Sequence, residues 1–267
     1  MLEIINARKT FLPGTSNEHV ALDNVNLSLA EGEFVTVIGS NGAGKSTLFN
    51  AIGGSFWLDR GKILLQGDNI TYLAEYKRAS LIGRLFQNPV KGTAPDMTIE
   101  ENLALAYNRK RRNGLRMGVS RQDAAVFRER LALLEMGLEN RLKTKVGLLS
   151  GGQRQALSLL MATIAKPRLL LLDEHTAALD PSSSEKIMQI TGDIVSQENI
   201  TTMMITHNIQ SALKIGSRTI MMDSGKIILD ISGQERSEMT VASLMELFSR
   251  QGKKALDNDR MLLVNNQ

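Results

Sequence analysis

The stretch from Gly39 to Thr47 reads GSNGAGKST and has the residue types and spacing of a phosphate-binding loop. Its glycines let successive backbone N–H groups turn inward and cradle phosphate oxygens without a side chain in the way. Lys45 supplies a positive charge for the β- and γ-phosphates, and the Ser46 hydroxyl can ligate Mg²⁺. The residues predicted to bind the phosphates are Gly39, Ser40, Asn41, Gly42, Ala43, Gly44, Lys45, Ser46 and Thr47.

The segments on both sides of this loop have the structure that the chemistry requires. Phe34–Ile38 is an apolar run of strand length, and Ser46–Ile52 reads as a helix that two glycines end. A strand, a glycine-rich loop and a helix N-terminus also place the positive end of the helix dipole at the anion. The alternative is a glycine-rich turn that only connects a strand to a helix.

Two adjacent carboxylates, Asp173 and Glu174, close a second apolar run, Leu169–Leu172. Because neighbouring residues at a strand end point to different sides, one carboxylate can hold Mg²⁺ while the other faces an attacking water. Asp173 suits the metal, and Glu174 suits the water as a general base or orienting group. The alternative is an ordinary solvated pair at a sheet edge.

A second glycine-rich stretch, Leu149–Gln153, reads LSGGQ. Ser150 and Gln153 have the spacing of a capping box, which predicts a helix over about Gln155–Ala165. Bare glycine backbone at a helix start is a second anion site. The residues alone leave open whether the two anion sites hold one nucleotide or two, and a flexible hinge that starts a helix is the simpler alternative.

Composition bounds the class of protein. The chain has 267 residues, 42% hydrophobic and 22% charged, which is enough for one large domain or two small ones. It has no cysteine, so disulfides and thiolate metal sites are excluded. No apolar run approaches the roughly 20 residues that span a bilayer, and the first residues lack a signal-peptide layout. A soluble or peripheral protein is therefore expected.

The net charge of +4 is mild and does not require a nucleic-acid partner. The basic run Arg109–Arg112, with Arg116 beyond it, is the one hint of such a partner. A solvated loop or a membrane-side contact explains this run better, so no nucleic acid is expected.

Short strands dominate the first part of the chain, and a helical block follows. The strand signals are Leu2–Phe11, Val25–Leu29, Gly61–Gly67 and Leu81–Phe86. The block, about Pro89–Gly147, opens two helices with capping boxes at Thr98/Glu101 and Ser120/Asp123, the second predicted to stop near Gly137.

Strand signals resume with Leu169–Asp173, Thr201–Thr206 and Arg218–Met222, separated by a helix that Asp180 caps. A hairpin turn at Asp223–Lys226 and a last helix over Thr240–Arg250 follow, and the tail from Gln251 is expected to be mobile. The pattern predicts a nucleotide-binding core with an inserted helical block. The predicted parts are 1–88 and 159–230 for the core, 89–158 for the helical subdomain, and 231–267 for a C-terminal helix and tail.

The motifs GSNGAGKST, LSGGQ and LLLLDE, with a glutamine and a histidine that each follow a strand, occur in the order found in ATP-binding-cassette ATPases. Over about Leu2–Leu229 the chain resembles an ATP-binding subunit of that family. The resemblance implies an α/β P-loop NTPase fold: a RecA-like core with a mixed sheet and an antiparallel β subdomain, and an inserted α-helical subdomain. ATP and Mg²⁺ are the implied cofactors.

In that family two subunits pack head to tail, and each ATP lies between the phosphate loop of one and the LSGGQ segment of the other. The resemblance therefore implies a second copy of this chain, or a homologous ATPase, as a partner. The implied contacts to the partner's ATP are Ser150, Gly151, Gly152, Gln153 and Asp180.

The resemblance also assigns chemical roles. Gln87 matches the glutamine that contacts Mg²⁺ and the attacking water, and His207 matches the switch histidine that bonds the γ-phosphate. Phe11 is the candidate for the ring that stacks on adenine, with simple core packing as its alternative. The implied catalytic residues are Lys45, Gln87, Glu174 and His207, and the implied metal ligands are Ser46, Gln87 and Asp173.

One position departs from the family pattern. His175 stands where the family usually has proline directly after the catalytic glutamate, which predicts a less stiff backbone and an extra titratable ring near the site. Glu174 is the preferred base because the strand end and the family pattern agree on it. The variant DEHTAALDP resembles a subgroup of bacterial uptake ATPases whose permeases are similar to those for branched-chain or aromatic amino acids.

The expected function is ATP hydrolysis that drives an integral membrane permease, with a separate solute-binding protein, at the cytoplasmic face of the membrane. Import is favoured over export because ATPase and permease are separate chains. One alternative is a cassette ATPase that acts on nucleic acid or the ribosome, although such chains usually carry a long coiled coil or two cassettes. A non-hydrolysing nucleotide sensor is a second alternative, and the full set of catalytic motifs argues against it.

Overall fold

The structure of the protein is a computed structural model that describes residues 1–110 and 119–251. The strands of the described chain are Leu2–Phe11 (β1), His19–Leu29 (β2), Phe34–Gly39 (β3), Arg60–Leu65 (β4), Asp68–Asn69 (β5), Ile82–Leu85 (β6), Leu169–Asp173 (β7), Thr202–Ile205 (β8), Arg218–Asp223 (β9) and Lys226–Ser232 (β10). The α-helices are Lys45–Gly53 (α1), Glu75–Arg78 (α2), Ile99–Tyr107 (α3), Arg121–Ala132 (α4), Gly151–Thr163 (α5), Pro181–Glu198 (α6), Ile209–Lys214 (α7), Gly233–Ser237 (α8) and Val241–Gln251 (α9). Short 3-10 turns occupy Pro89–Gly92, Asn108–Lys110, Leu138–Asn140 and Val146–Leu148.

The chain forms two compact units. The first, here the core unit, comprises Met1–Arg78 and Ile200–Gln267, and the second, here the helical unit, comprises Ala79–Asn199. The tail beyond 251 and the basic stretch 111–118 lie outside the described residues, so the expectations about them stay predictions. The predicted boundaries at 88, 158 and 230 also stay predictions.

The core unit contains two sheets. In the first, β1 pairs antiparallel with β2 and with β4, and β4 pairs with β5. The predicted alternation of Val25–Leu29 is confirmed, since every second residue is buried. In the second sheet β3 lies parallel to β8 and β9, and β10 pairs antiparallel with β9. All of β3 is buried, as expected for a central strand covered on both faces.

The helical unit combines a parallel strand pair with helices. Strands β6 and β7 pair in parallel, and the four leucines of β7 are fully buried. All three predicted capping boxes are present, at Thr98/Glu101, Ser120/Asp123 and Ser150/Gln153. Helix α4 ends at Ala132 rather than near Gly137, and α5 begins at Gly151 and ends at Thr163, before the predicted end.

The mixed sheet, the antiparallel sheet and the helices confirm the predicted α/β P-loop fold. The hairpin turn between β9 and β10 is confirmed too, because Ser224 and Gly225 both have positive φ, at 48° and 77°. Within residues 1–110 and 119–251, no helix combines the length and the apolar composition that crossing a bilayer requires.

Arg78 holds the end of α1 in the core unit. Its side chain is 1% exposed, and the guanidinium donates hydrogen bonds of 2.7 to 2.8 Å to the carbonyls of Ala51, Ile52, Thr71 and Leu73. Two of these carbonyls belong to the last turn of α1, which has no further helical N–H to bind. The arginine therefore stabilises the C-terminal end of the helix that follows the phosphate loop.

We predict that Arg78→Ala lowers the free energy of unfolding by about 3 kcal/mol, because four carbonyls lose the hydrogen bonds that the guanidinium donates. Urea denaturation followed by circular dichroism measures the change. Lys77→Ala, at the exposed neighbouring position, is the control and should change the same quantity by less than about 0.5 kcal/mol. Equal effects of the two substitutions would contradict the assignment.

Candidate functional site

The backbone of the phosphate loop requires its glycines. Gly39, Gly42 and Gly44 have φ values of 147°, 78° and 100°, which side-chain-bearing residues rarely adopt. A Cβ at Gly39 would lie 2.2 Å from the carbonyl oxygen of Met222, and one at Gly44 would lie 2.5 Å from that of Ala21. Two of the three glycines are therefore required by close backbone packing as well as by conformation.

Lys45 lies inside this loop. It is 5% exposed, and its Nζ donates hydrogen bonds of 2.6 Å and 2.9 Å to the carbonyls of Gly39 and Ser40. These bonds hold the ammonium group against the loop backbone. A buried, oriented cation at this position suits a phosphate ligand.

The N-terminus of α1 is open to an anion. Its N-cap, Gly44, makes no side-chain capping bond, and the first turn contains no acidic residue. Helices α3, α4, α5 and α6, by contrast, each have a side-chain cap. No side chain caps this helix start and no acidic residue in its first turn repels an anion, so it suits a phosphate, which the helix dipole also attracts. The residues present fit the phosphates of ATP.

The turn between β9 and β10 supports the loop from the side. The N–H of Gly225 donates to the carbonyl of Ala43 at 3.0 Å, and the carbonyl of Gly225 accepts from the N–H of Asp23 at 2.9 Å. A hydrogen bond of 3.4 Å also joins the Ser40 hydroxyl to Asp223. Sequence reasoning identified this segment as a hairpin turn but missed its contact with the phosphate loop, because nothing local indicates which backbone the turn touches.

His207 lies at the same edge of the sheet as the phosphate loop. It follows β8, which pairs in parallel with β3 in a register that places Ile205 beside Val37. The N–H of Thr206 continues this pairing with a 3.2 Å hydrogen bond to the carbonyl of Val37. Segments that follow the carboxyl ends of adjacent parallel strands meet at one edge. The half-buried His207 is thus placed near the loop, within the core unit.

Phe11 ends β1 and keeps 37% of its surface exposed. Its ring packs edge-on against Phe56, with 5.4 Å between the ring centroids, and Lys9 Nζ lies 5.7 Å from the Phe11 ring centroid. The ring is therefore not simple core, which was the alternative. Its stacking on adenine stays a prediction.

Glu174 and Gln87 meet in the helical unit. Strands β6 and β7 place Leu85 beside Leu172, and just beyond them Gln87 Nε2 donates to Glu174 Oε2 at 3.2 Å. Glu174 has φ 47°, a left-handed conformation that costs of order 1 kcal/mol or more for a residue with a side chain. The strand ends at Asp173, so the turn at Glu174, and not strand alternation, separates the two carboxylates.

His175 is buried in the helical unit and is not placed as a catalytic base. It is 2% exposed, and its Nε2 lies 3.2 Å from the Thr191 hydroxyl on α6. Burial lowers the pKa of His175 to about 4, because desolvation disfavours the charged ring. The imidazole is therefore neutral near pH 7. Glu174 as the base stays a prediction.

The LSGGQ segment forms the start of α5. Gln153 N–H donates to the Ser150 hydroxyl at 3.2 Å, and Ser150 N–H donates back to Gln153 Oε1 at 3.3 Å. A Cβ at Gly151 would lie 3.6 Å from Leu179 Cδ2, and a Cβ at Gly152 would lie 3.2 Å from Ser183 Oγ. The glycines thus let α5 approach the start of α6 closely.

Asp180 caps α6 beside this segment. Its carboxylate accepts a 2.9 Å hydrogen bond from the N–H of Ser183, and the backbone hydrogen bond from Ser183 lowers the pKa of Asp180. The structure therefore brings Ser150 and Asp180 to neighbouring helix starts, and both are exposed. Gln87, Asp173, Glu174, the LSGGQ segment and Asp180 belong to the helical unit, whereas the phosphate loop, His207 and Phe11 belong to the core unit.

Comparison with known proteins decides the family. A sequence profile described as ABC transporter matches residues 22–177. The tyrosine transport ATP-binding protein of Clostridioides difficile (strain R20291) is 44% identical over 248 residues, which are 93% of this chain and 98% of that protein. The chain belongs to the ABC transporter family.

Two further relatives agree with this membership. A putative hemin import ATP-binding protein of Staphylococcus haemolyticus (strain JCSC1435) is 33% identical over 85% of this chain and 99% of that protein. A solved structure of a dimeric ATP-binding cassette in a post-hydrolysis state, bound to ADP and Pi, is 32% identical in sequence, with a TM-score of 0.73. The match covers 87% of this chain and 98% of that chain. This ABC chain is the ATP-binding and ATP-hydrolysing subunit of a transporter.

We predict that Gly225→Ala weakens ATP binding about tenfold, equivalent to about 1.4 kcal/mol. Gly225 has φ 77°, and an added Cβ would lie 3.0 Å from the Ala21 carbonyl oxygen, so the turn must shift from the phosphate loop. The measurement is a titration with ATP by calorimetry.

Gly67→Ala is the matched control. Gly67 also sits in a two-residue hairpin turn, between β4 and β5, and has φ 85°, but an added Cβ there meets nothing within 4 Å. It should cost similar stability through backbone strain and leave the Kd for ATP unchanged. If both substitutions changed the Kd equally, the loop would not depend on the Gly225 contact.

Proposed function

We propose that this chain is the ATPase subunit of an amino-acid uptake transporter, in which two copies close head to tail around two ATP molecules. The observation that carries the catalytic part is the pairing of Gln87 with Glu174 directly after two parallel strands. A carboxylate oriented in this way at a strand end can accept the proton of an attacking water.

Residues of the core unit bind the nucleotide. Lys45 and the first-turn N–H groups of α1 hold the β- and γ-phosphates, and His207 contacts the γ-phosphate. Phe11 stacks on the adenine. Because the loop backbone is already held by its neighbours, these groups need little reorganisation when ATP binds.

Mg²⁺ is the proposed metal, and its ligands are the Ser46 hydroxyl, the Gln87 amide oxygen and the Asp173 carboxylate, the last directly or through water. These are hard oxygen donors, which suit Mg²⁺. When bound, the ion neutralises charge that develops on the phosphate oxygens. Ser46 is exposed in the first turn of α1, as such a role requires.

Glu174 is the proposed general base. The water oxygen attacks the γ-phosphorus, the bond from that phosphorus to the β–γ bridging oxygen breaks, and the water proton passes to Glu174. Gln87 orients the carboxylate by donating to Oε2, and the carboxylate held in this way binds the water. Positioning of this kind is the main protein contribution to phosphoryl transfer.

The second copy completes each site with Ser150, Gly151, Gly152, Gln153 and Asp180. Two facts support this step: Ser150 and Gly151 are exposed at the glycine-rich start of α5, and the related cassette bound to ADP and Pi is dimeric. ATP contacts both copies only when they are closed. Binding therefore shifts the population toward the closed dimer, and hydrolysis releases it.

Movement of the helical unit is passed to an integral membrane permease, and a separate solute-binding protein delivers the cargo. The chain accordingly acts as a peripheral protein on the cytoplasmic face of the membrane. The relative at 44% identity is a tyrosine transport ATP-binding protein, which supports an amino acid as the cargo. The relative at 33% identity is a putative hemin import ATP-binding protein, which supports uptake as the direction.

We predict that Glu174→Gln keeps ATP binding within about threefold of wild type but lowers phosphate release by at least about 100-fold, because the amide cannot take the water proton. Calorimetry measures binding, and a phosphate-release assay measures turnover. Lys45→Ala should instead lose ATP affinity, since the phosphates lose their buried cation. Wild-type turnover by Glu174→Gln would remove the base assignment.

Head-to-tail closure can be tested with single cysteines, because the chain has none of its own. An Asn41→Cys chain mixed with a Ser150→Cys chain, both carrying Glu174→Gln, should form a mixed disulfide with ATP and not without nucleotide. Glu129→Cys, on the exposed face of α4 in the helical unit, replaces Ser150→Cys in the control and should not cross-link to Asn41→Cys. Equal cross-linking of both pairs would contradict this arrangement.

A further inference from the structure

The backbone conformation of Glu174 must be held by contacts other than the Gln87 hydrogen bond to its side chain. Its backbone has φ 47°, which is unfavourable for a side-chain-bearing residue and persists only where neighbours hold it. A turn hydrogen bond of 3.0 Å from the N–H of Ala177 to the Glu174 carbonyl holds the chain after it. The next residue, His175, is buried and reaches in the other direction, into the unit.

The hydrogen-bond directions at His175 can be assigned. The Thr191 hydroxyl donates its one proton to the carbonyl of Ile187 at 2.7 Å, so its oxygen can only accept from the imidazole. His175 Nε2, at 3.2 Å, is therefore the donor. This places a proton on Nε2 and ties the residue after Glu174 to the middle of α6.

The same helix begins at Asp180, whose carboxylate caps it. The segment 174–180 is thus attached to α6 at two points, at its start through the His175 side chain and at its end through the cap. Thr191 is completely buried, so its position is set by the packing of α6. The His175–Thr191 bond therefore transmits the position of α6 to the backbone of Glu174.

We propose that His175 is a positioning residue that sets the orientation of the Glu174 carboxylate through its hydrogen bond to Thr191. This inference rests on the proposed role of Glu174 as the base. A proline at position 175 would restrict the backbone without any such bond. In this chain the restraint comes from a side chain and depends on α6.

The test compares Thr191→Val and His175→Leu with wild type in steady-state ATP hydrolysis. Each substitution removes one end of the bond, so kcat should fall about tenfold, because a small misplacement of a catalytic group has a large effect on the rate. KM for ATP should stay within about twofold, since the phosphate-binding residues are untouched. Unchanged kcat in both variants would overturn the proposal.

Thr163→Val is the matched control. Thr163 is also a buried helical threonine of the helical unit and also donates to the carbonyl four residues earlier, Leu159, at 2.9 Å. Its second hydroxyl contact, at 3.3 Å, is with the backbone carbonyl of Leu160. It should lower the melting temperature as much as Thr191→Val does and leave kcat within about twofold. An equal fall in kcat for Thr163→Val would show that loss of stability alone explains the effect.

Two more variants complete the test. His175→Gln keeps an N–H donor at the end of the side chain and should recover most of kcat, and the double variant His175→Leu/Thr191→Val should be no slower than either single one. Failure of both results would also overturn the proposal. Glu174→Gln in the same assay distinguishes failure of this proposal from failure of the proposed base. Wild-type turnover by Glu174→Gln would show that Glu174 is not the base. An inactive Glu174→Gln together with a fully active Thr191→Val would contradict only the role of His175.

Discussion

The close contact of backbone with backbone around the phosphate loop is the constraint on which the nucleotide site depends. Gly39 lies against the Met222 carbonyl, Gly44 lies against the Ala21 carbonyl, and Gly225 donates to Ala43. These contacts come from β2, β3, β9 and the turn after β9. N–H groups bind an anion well only if their positions are already fixed before binding. A flexible loop would lose conformational entropy when the anion binds, and this loss would weaken the affinity.

The central position of β3 follows from this requirement. The strand is fully buried, and parallel neighbours on both sides fix its register. The same pairing brings His207 to the edge where the loop begins. A single feature of sheet topology therefore places the phosphate loop and His207, the proposed switch histidine, at one edge of the sheet, although they lie far apart in the sequence.

The helical unit meets a different requirement. A general base must point in one direction, and Glu174 is the proposed base. Its backbone has φ 47°, Gln87 donates to its carboxylate, and the next residue, His175, is bonded to Thr191. Each contact connects Glu174 to another part of the helical unit: Gln87 precedes the helical block in the chain, and His175 is bonded to Thr191 on α6. In the proposed mechanism the orientation of the Glu174 carboxylate therefore depends on the arrangement of the helical unit, which suits a transporter whose hydrolysis must respond to movement.

The sequence by itself determined the glycine-rich phosphate loop, the three capping boxes and the hairpin turn, because each depends on residue types at short, fixed spacings. The order of its motifs determined the fold class only through the resemblance to ATP-binding-cassette ATPases. Local spacing also placed Asp173 and Glu174 at the end of a strand, but it attributed their separation to strand alternation, whereas the backbone has already turned at Glu174. Only the tertiary structure decided that Gly225 braces the phosphate loop and that His175 turns inward to Thr191. Those contacts join residues far apart in the chain, and the packing of whole strands and helices, which no local pattern encodes, brings them within hydrogen-bonding distance.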